Sequence, residues 1–337
     1  MRFGLDAMGG DFAPVEPVMG ALAARDLLKE GDEVVLIGDE PDIRAQLDGH
    51  SGWEDFIRVE NAPDVIGMSE APVESLRAKP NSSIARMAEL AARGEVDAII
   101  SAGNTGACVA ACQMRLRRLR GVHRPGIAIV FPTFYGPVTM CDVGANVNCR
   151  PSHLYQYAIM ASEYARGICG IDGARVGLLN IGVEDAKGNP LVKETHELLR
   201  DDPSIHFVGN VEGQDLFRGI VDVVVTEGFV GNVALKLMEG LAEGLFMSLL
   251  KGLGESGTEP TGRLKKLVEE IQETYDFNEY GGAPLLGVNG MCIICHGAST
   301  RRAITNALRV AGSFAKTRIN ERITQRISAQ SQGSLDE

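Results

Sequence analysis

One stretch of the chain decides the fold: EVDAIISAGNTGACVAACQMRLRRLR, which runs from Glu95 to Arg120. Its apolar run Val96–Ile100 predicts a buried strand, and the small residues from Ser101 to Gly106 predict a tight turn. The apolar positions after the turn recur at helical spacing. A strand, a glycine turn and a helix in this order leave free backbone N–H groups and the positive end of the helix dipole at the turn. The stretch therefore predicts an anion site.

The same plan recurs later in the chain, in VDVVVTEGFVGNVALKLMEGLAEG, which runs from Val221 to Gly244. Here Asn232 stands near the start of the second helix, where its side chain could cap the helix or donate to a ligand. Both interpretations stay open at this point. Two such turns in one sheet predict an active site that holds an anionic group.

Strands alternate with helices along most of the sequence, which predicts an α/β sandwich with a mostly parallel sheet. One pair of strands, Gly126–Phe131 and Val138–Asp142, is separated by a short turn and could form an antiparallel hairpin. The segment 61–79 carries several prolines and is expected to be irregular. We predict a single domain over 1–327, which could be divided into two lobes around a cleft, and a disordered tail over 328–337. Ligands of parallel sheets bind beyond the carboxyl ends of the strands, so we expect the site there.

Composition narrows the class of protein. The 337 residues carry a net charge of −12, which argues against general nucleic-acid binding. The N-terminus lacks the apolar segment of a signal sequence, and no apolar run approaches the ~20 residues that span a bilayer. We therefore expect a cytoplasmic protein. Five arginines between Arg115 and Arg124 form a local exception, which could dock an acidic partner or simply form a solvated helix end.

Several common site motifs are absent from the sequence. No Gly-Lys-Ser/Thr ending, no Gly-x-Gly-x-x-Gly and no Gly-x-Ser-x-Gly is present, which argues against a P-loop, a Rossmann dinucleotide site and a serine hydrolase. The run from Cys292 to His296 has the spacing of a haem attachment site. The isoleucines inside it predict a buried strand instead, so we expect neither haem nor metal, and we expect most of the cysteines to be buried thiols.

Two single residues could belong to a site. His296 follows the predicted strand and is either a hydrogen-bonded structural residue or a residue of the ligand crevice. Lys187 lies in the loop Gly182–Gly188 after another buried strand, where it could reach into a cleft or remain an ordinary surface lysine.

The glycine and asparagine motifs follow one another in a specific order along nearly the whole chain. They are Asp6–Pro14 (DAMGGDFAP), Ser101–Ala107 (SAGNTGA), Asp142–Asn146 (DVGAN), Arg175–Gly182 (RVGLLNIG) with Lys187–Gly188, Gly228–Val233 (GFVGNV) and Gly281–Gly287 (GGAPLLG). In this the chain resembles the acyl-acyl-carrier-protein:phosphate acyltransferase family of bacterial phospholipid synthesis. The resemblance implies a three-layer α/β/α fold of the isocitrate/isopropylmalate dehydrogenase type, related to phosphotransacetylase.

The resemblance also implies a homodimer that needs no cofactor. Its reaction takes an acyl group from acyl carrier protein to inorganic phosphate, and an acyl-phosphate:glycerol-3-phosphate acyltransferase acts downstream. The resemblance favours Lys187 and Asn232 as catalytic residues, and we add His296. The expected phosphate-binding residues are Gly103, Asn104, Thr105, Gly106 and Asn180. The expected carrier-docking residues are Arg115, Arg118 and Arg124, with Arg263, Lys265 and Lys266 as a second basic group.

This chemistry suits a site without a nucleophilic side chain. Phosphate is already an anionic nucleophile, and the leaving thiolate has a pKa near ~8.5, so no strong general acid is required. The enzyme must instead position two anions and stabilise an oxyanion, a task for glycine turns, amides and one lysine.

Three alternatives remain at the level of sequence. They are a phosphotransacetylase that uses acyl-coenzyme A, a metal- and NAD-dependent decarboxylating dehydrogenase on the same fold, and a scaffold that binds carrier protein without catalysis. For the membrane, the apolar segment Leu245–Leu253 is followed by the polar, acidic segment Gly254–Gly262. Anionic lipids repel acidic groups, so we expect weak or no direct contact with the inner face of the membrane.

Overall fold

Eleven strands join into one mixed sheet in the part of the chain that the computed structural model describes, residues 1–255 and 281–333. The strands are β1 (Arg2–Asp6), β2 (Glu33–Gly38), β3 (Ile57–Asn61), β4 (Ala98–Ser101), β5 (Gly126–Thr133), β6 (Gly136–Cys141), β7 (Val176–Leu179), β8 (Phe207–Val211), β9 (Val223–Val225), β10 (Ala283–Leu286) and β11 (Cys292–Ile294). Their order across the sheet is β3-β2-β1-β4-β11-β10-β5-β6-β9-β7-β8. Strands from the end of the chain thus lie at the centre of the sheet.

The two halves of the sheet run in opposite directions. Strands β3, β2, β1, β4 and β11 pair in parallel, and so do β6, β9, β7 and β8. Between them β10 pairs antiparallel with both β11 and β5, and β5 pairs antiparallel with β6. The predicted hairpin is confirmed. The three antiparallel pairings place the carboxyl ends of the two halves at opposite edges, which corrects the expectation of one ligand edge beyond the carboxyl ends of parallel strands; the glycine loops are divided between both edges.

Ten helices cover the sheet within the described residues. They are α1 (Val15–Ala23), α2 (Glu40–Leu47), α3 (Pro72–Ala78), α4 (Ser83–Ala92), α5 (Thr105–Arg115), α6 (Pro151–Tyr164), α7 (Pro190–Arg200), α8 (Gly228–Glu255), α9 (Arg301–Thr317) and α10 (Ile319–Gly333). Helix α3 lies in the segment predicted to be irregular, because Pro72 occupies its first turn, where the missing N–H costs nothing. Helix α10 continues past residue 328, where we expected the tail to begin. None of the described helices is both long enough and apolar enough to cross a membrane.

Alternate residues of the strands enter two separate cores. Leu36 and Ile100 belong to one core with Tyr157 of α6 and Ile304 of α9, whereas Ile99 belongs to the other. The second core takes its helical residues mainly from α4 and α5, with Leu76 from α3, and Leu235 of α8 packs against it. Since successive side chains of a strand point to opposite faces, the two cores lie on the two sides of the sheet. The arrangement is the predicted three-layer sandwich.

The start of α8 is packed directly on the loop that follows β6. A Cβ atom on Gly231 would lie 1.9 Å from the backbone oxygen of Asp142 and 2.9 Å from the Cγ2 atom of Thr226. Backbone cannot withdraw as a flexible side chain can, so only glycine fits at this contact. About two and a half turns further along the same helix, Gly240 is exposed and a Cβ atom there would meet nothing within 4 Å.

These two glycines make a matched pair for a stability test. We expect Gly231→Ala to lower the free energy of unfolding by about 1–3 kcal/mol or more, because the backbone contact must open. Gly240→Ala should raise it, by at most about 1 kcal/mol, because alanine has the higher helix propensity. Urea denaturation followed by circular dichroism measures both, and a Gly231→Ala protein as stable as the Gly240→Ala protein would contradict the packing described.

Candidate active site

A cleft of about 390 Å³ lies over the central strands, on the face that carries α5 and α8. Its lining includes Ile294 of β11, Ala283 of β10, and Ile127 and Ile129 of β5. Leu235 of α8 closes the apolar part from the helix side. The cleft is therefore apolar along the sheet, as a binding site for an alkyl chain must be.

Polar groups reach the cleft from both halves of the sheet. Thr105 and His296 follow β4 and β11, whereas Asn232 and Lys236 belong to α8, which follows β9. Because the two halves run in opposite directions, α5 and α8 begin at opposite edges and still line the same cavity. The structure thus brings together three of the predicted site residues, Thr105, Asn232 and His296.

The turn before α5 is fixed by a buried carboxyl group. The Oδ2 atom of Asp6 accepts a hydrogen bond of 2.6 Å from the Ser101 hydroxyl, whose oxygen accepts one of 3.0 Å from the backbone N–H of Gly103. The Oδ1 atom of Asp6 accepts from the N–H of Met8 at 3.1 Å. Burial raises the pKa of Asp6 above its ordinary value, although these hydrogen bonds oppose the shift. The first loop of the chain and the predicted anion turn are thereby held in one arrangement.

Asn104 has a structural task at this turn. Its side-chain Oδ1 accepts from the N–H of Ala107 at 3.0 Å and caps α5. Its Nδ2 donates to the backbone oxygens of Gly67, Met68 and Glu70 at 3.1, 3.2 and 3.0 Å. Both ends of the amide are therefore engaged. A ligand at this turn can bind the first-turn N–H groups of α5, which have no partner inside a helix. It can also bind the exposed hydroxyl-bearing side chain of Thr105.

His296 is exposed at the cleft, and one of its ring nitrogens is already used. Its Nδ1 atom accepts a hydrogen bond of 3.2 Å from the backbone N–H of Ala298. A nitrogen that accepts cannot carry the proton of the neutral ring, so the proton of neutral His296 resides on Nε2. The residue can therefore donate a hydrogen bond while uncharged.

The wall beside Asn232 is the loop that follows β6. The buried carboxylate of Asp142 accepts from the backbone N–H groups of Ile127, Gly144, Ala145 and Asn146 at 2.8–3.1 Å. Burial raises the pKa of Asp142, and these four donors oppose the rise. Asn232 itself is exposed.

The remaining predicted catalytic and phosphate residues lie elsewhere. Lys187 is on the exposed loop between β7 and α7 and folds over Gly182, where a Cβ atom would lie 3.1 Å from the Cγ atom of Lys187. Asn180 begins this loop; its Oδ1 accepts from the N–H of Ile181, and its Nδ2 is buried without a partner in the described structure. Neither residue lines the cleft.

The predicted docking arginines do not all lie in one place. Arg118 and Arg124 line a second concavity, together with Arg150, whereas Arg115 does not. The second basic group, Arg263, Lys265 and Lys266, lies outside the described residues, as does much of the acidic segment Gly254–Gly262.

Sequence reasoning missed two cations, Lys236 and Arg150. Lys236 lines the cleft, and its Nζ lies 2.7 Å from an Oε atom of Glu239. The signal was present, because Lys236 is one helical turn from Asn232 and so shares its face. Arg150 could be recognised only from the fold, since a long stretch of chain separates it from Arg118 and Arg124.

The cysteines that match a haem motif are part of the core. Cys292 and Cys295 are buried, and burial raises the pKa of the Cys295 thiol, to which the nearby Cys108 adds. In residues 1–255 and 281–333, no three histidine, cysteine, aspartate or glutamate side chains are grouped as metal ligands would be.

Comparison with known proteins identifies the family. The family described as "Fatty acid synthesis protein" matches residues 1–322. The chain belongs to this family. It is 44% identical over 330 residues to a phosphate acyltransferase of Trichlorobacter lovleyi, covering 97% of this chain and 95% of that one. It is 47% identical over 316 residues to a phosphate acyltransferase of Desulforamulus reducens, covering 92% of each. The predicted resemblance and the prediction of an acyltransferase are confirmed.

Solved structures with little sequence similarity share the fold. A phosphotransacetylase from Streptococcus pyogenes superposes with a TM-score of 0.62 at 15% identity, covering 94% of each chain. A 4-hydroxythreonine-4-phosphate dehydrogenase from Klebsiella pneumoniae gives 0.53 at 14% identity, covering 93% of this chain and 98% of that one. The predicted relation to phosphotransacetylases and to dehydrogenases of this fold is confirmed.

The cap of α5 gives a test of the turn. We expect Asn104→Asp to lower the free energy of unfolding by about 1–3 kcal/mol, because three carbonyl oxygens lose their donor and face a charge instead. Hydrogen exchange should also become faster in residues 67–70. The control is Asn189→Asp at the cap of α7, where Oδ1 accepts from the N–H of Val192 at 3.0 Å and a carboxylate can do the same. Equal stability of both variants would refute the structural task assigned to Asn104.

Proposed function

We propose that the protein transfers a fatty acyl group from the thioester of acyl carrier protein to inorganic phosphate and releases acyl phosphate. The observation that carries this proposal is the cleft, which combines an apolar floor of isoleucines with amide, hydroxyl, imidazole and ammonium groups. An alkyl chain fits the floor, and phosphate and the thioester carbonyl fit the polar groups. The acyl phosphate then serves phospholipid synthesis through a downstream acyl-phosphate:glycerol-3-phosphate acyltransferase.

The reaction needs few groups. A phosphate oxygen attacks the thioester carbon, a C–O bond forms, and the carbonyl oxygen takes up negative charge. As the C=O bond reforms, the C–S bond breaks and the carrier thiolate leaves with its electron pair, later taking a proton from water. Donors aimed at the developing oxyanion lower this barrier most, because they need no reorganisation during the reaction.

The cleft residues suit these roles in a simple division. We assign the Asn232 amide and the Nε2–H of His296 to the thioester oxygen. We assign phosphate to the backbone N–H groups of Thr105 and Gly106, the Thr105 hydroxyl and the positive end of α5. Lys236 adds a charge that partly neutralises the two anions brought together.

Lys187 and Asn180 are part of the proposal because of the family resemblance and not because of their position outside the cleft. Both lie on the loop between β7 and α7, and the unpartnered Nδ2 donor of Asn180 is a group that could hold phosphate. For Lys187 to act as a catalytic residue, its exposed loop must approach the cleft, or a second copy of the chain must present it.

Assembly and location complete the proposal. Helix α8 exposes a row of apolar residues spaced by one turn, Val233, Leu237, Leu241, Leu245 and Leu249. Such a row suits packing against the same helix of a second copy, as in the expected homodimer. We place the protein in the cytoplasm near the inner face of the membrane, with weak or no direct lipid contact. Arg115, Arg118 and Arg124 supply the positive surface that the acidic carrier needs.

Product analysis tests the activity. The purified protein should form acyl phosphate and free carrier thiol from acyl carrier protein only when phosphate is present, and acyl-coenzyme A should react less well. Acyl phosphate is trapped as a hydroxamate, and the thiol is measured by its reaction with a disulfide reagent. Preference for acyl-coenzyme A would favour a phosphotransacetylase, NADH formation would favour the dehydrogenase, and carrier binding without thiol release would favour a scaffold.

Two substitutions on α8 separate the roles in the cleft. Asn232→Ala should lower kcat about 10²–10³-fold, because one oxyanion donor is lost. Lys236→Met should mainly raise the KM for phosphate, because the charge acts on the bound anion as well as on the transition state. The exposed residues Asn81 and Lys193 provide controls, and Asn81→Ala and Lys193→Met should match the wild type. Near wild-type kcat in a folded Asn232→Ala protein would exclude Asn232 as an oxyanion donor.

A further inference from the structure

A second concavity adjoins the active-site cleft and is strongly basic. It measures about 1050 Å³, and we call it the basic pocket. Its charged and imidazole-bearing lining consists of Arg118, His123, Arg124, Arg150, His153 and Glu227. Two elements form a wall common to both cavities. In the loop after β6, Gly144 lines the cleft and Arg150 lines the basic pocket; in the first turns of α8, Asn232 faces the cleft and Phe229 the pocket.

The positive charge of the basic pocket is only partly offset by the surrounding protein. None of the guanidinium groups of Arg118, Arg124 and Arg150 forms an ion pair with a carboxylate of the described residues. The one carboxylate in the lining, Glu227, is occupied, since its two oxygens accept from the backbone N–H groups of Phe229 and Val230 at 2.7 and 2.9 Å. Three like charges around the basic pocket repel one another. Such a concentration of positive charge is exceptional in a chain of net charge −12.

Neutral hydrogen-bond donors complete the lining. His153 is buried, and its Nδ1 accepts from the backbone N–H of Arg150 at 3.2 Å, so the proton of the neutral ring lies on Nε2. Burial lowers the pKa of His153, and the nearby His123, Arg124 and Arg150 lower it further, which keeps the ring neutral near pH 7. His153 also lies in the first turn of α6, whose N-terminus opens on the pocket through Arg150 and Ser152. The guanidinium of Arg118 donates to the backbone oxygen of His123, which fixes one arginine in place.

We propose that the basic pocket is a second anion site that binds the phosphate group of an organic phosphate ester. Guanidinium groups match phosphate oxygens with pairs of parallel N–H donors, and three of them converge on this pocket. The volume is that of a small-molecule site rather than of a flat docking face. The exposed ring of Phe229 offers apolar contact to the organic part of the ester.

The position of the basic pocket suggests where such an ester comes from. Acyl carrier protein presents its thioester on a pantetheine arm that is joined to the protein by a phosphodiester. With its phosphate in the basic pocket, such an arm could pass the common wall and deliver the thioester to the cleft. This source rests on the proposed function, whereas a free organic phosphate would bind the same site without it.

Calorimetry on the full-length protein tests the site directly. We use 4′-phosphopantetheine as the probe and pantetheine, which lacks the phosphate, as its matched control. Wild-type protein should bind phosphopantetheine about tenfold or more tightly than pantetheine, with an affinity that falls as salt rises. The variant Arg124→Ala/Arg150→Ala should lose this preference, and Arg124→Lys/Arg150→Lys should regain part of it. Arg120→Ala, an exposed arginine outside the lining, should behave as the wild type.

Two outcomes would overturn the proposal: equal affinity for the two probes, or a preference for phosphopantetheine that survives in the folded Arg124→Ala/Arg150→Ala variant. Kinetics then distinguish the source of the ester. If the carrier arm is bound there, Arg150→Ala alone, which leaves the docking residues Arg118 and Arg124 in place, raises the KM for acyl carrier protein about tenfold, but leaves turnover of a simple acyl-pantetheine unchanged. If the preference is lost while the KM for the carrier stays unchanged, the site holds a free organic phosphate. A wild-type protein that binds phosphopantetheine but forms no acyl phosphate would refute the proposed function and leave the site intact.

Discussion

The carboxylate of Asp142 holds together the part of the molecule in which both cavities are formed. It gathers four backbone N–H groups, one from the start of β5 and three from the loop after β6. The backbone N–H of Asp142 donates to Thr226 at the end of β9, and its backbone oxygen lies against Gly231 at the start of α8. A buried charge is tolerated only when it is fully hydrogen-bonded. Here the donors come from two parts of the chain, so satisfying the charge fixes the strand to the loop, while the backbone of the same residue carries the contacts to Thr226 and to the start of α8.

Local features of the fold could be predicted from sequence because they depend on neighbouring residues. The turn from Ser101 to Gly106, the helix after it and the β5–β6 hairpin follow from glycine positions and the period of apolar residues. The reversed direction of the second half could not be predicted in this way. It depends on the hairpin together with β10 and β11, which pair with strands far away in sequence, and pairing partners leave no local signal. The same reversal explains why the glycine loops do not share one edge.

The site was predictable to a similar degree. Thr105 and His296 stand close behind strands and Asn232 stands in the first turns of the helix after another strand, and the structure brings all three to one cleft. Asn104 was expected to bind phosphate, and its amide instead holds residues 67–70, because its second set of partners lies in a segment without a recognisable pattern. Arg150 joins Arg118 and Arg124 only after folding, so no spacing in the sequence could reveal the basic pocket.

The strand order also dictates when the protein can finish folding during synthesis. Strands β4 and β5 are made early, yet the two strands that lie between them, β10 and β11, come from residues 283–294. Until these leave the ribosome, β4 and β5 each present an open edge with unpaired backbone groups, which are templates for pairing with other chains. The nascent chain therefore lacks the middle of its sheet until residues 283–294 have been synthesised. The growing chain is for that time a natural client for chaperones that shield strand edges.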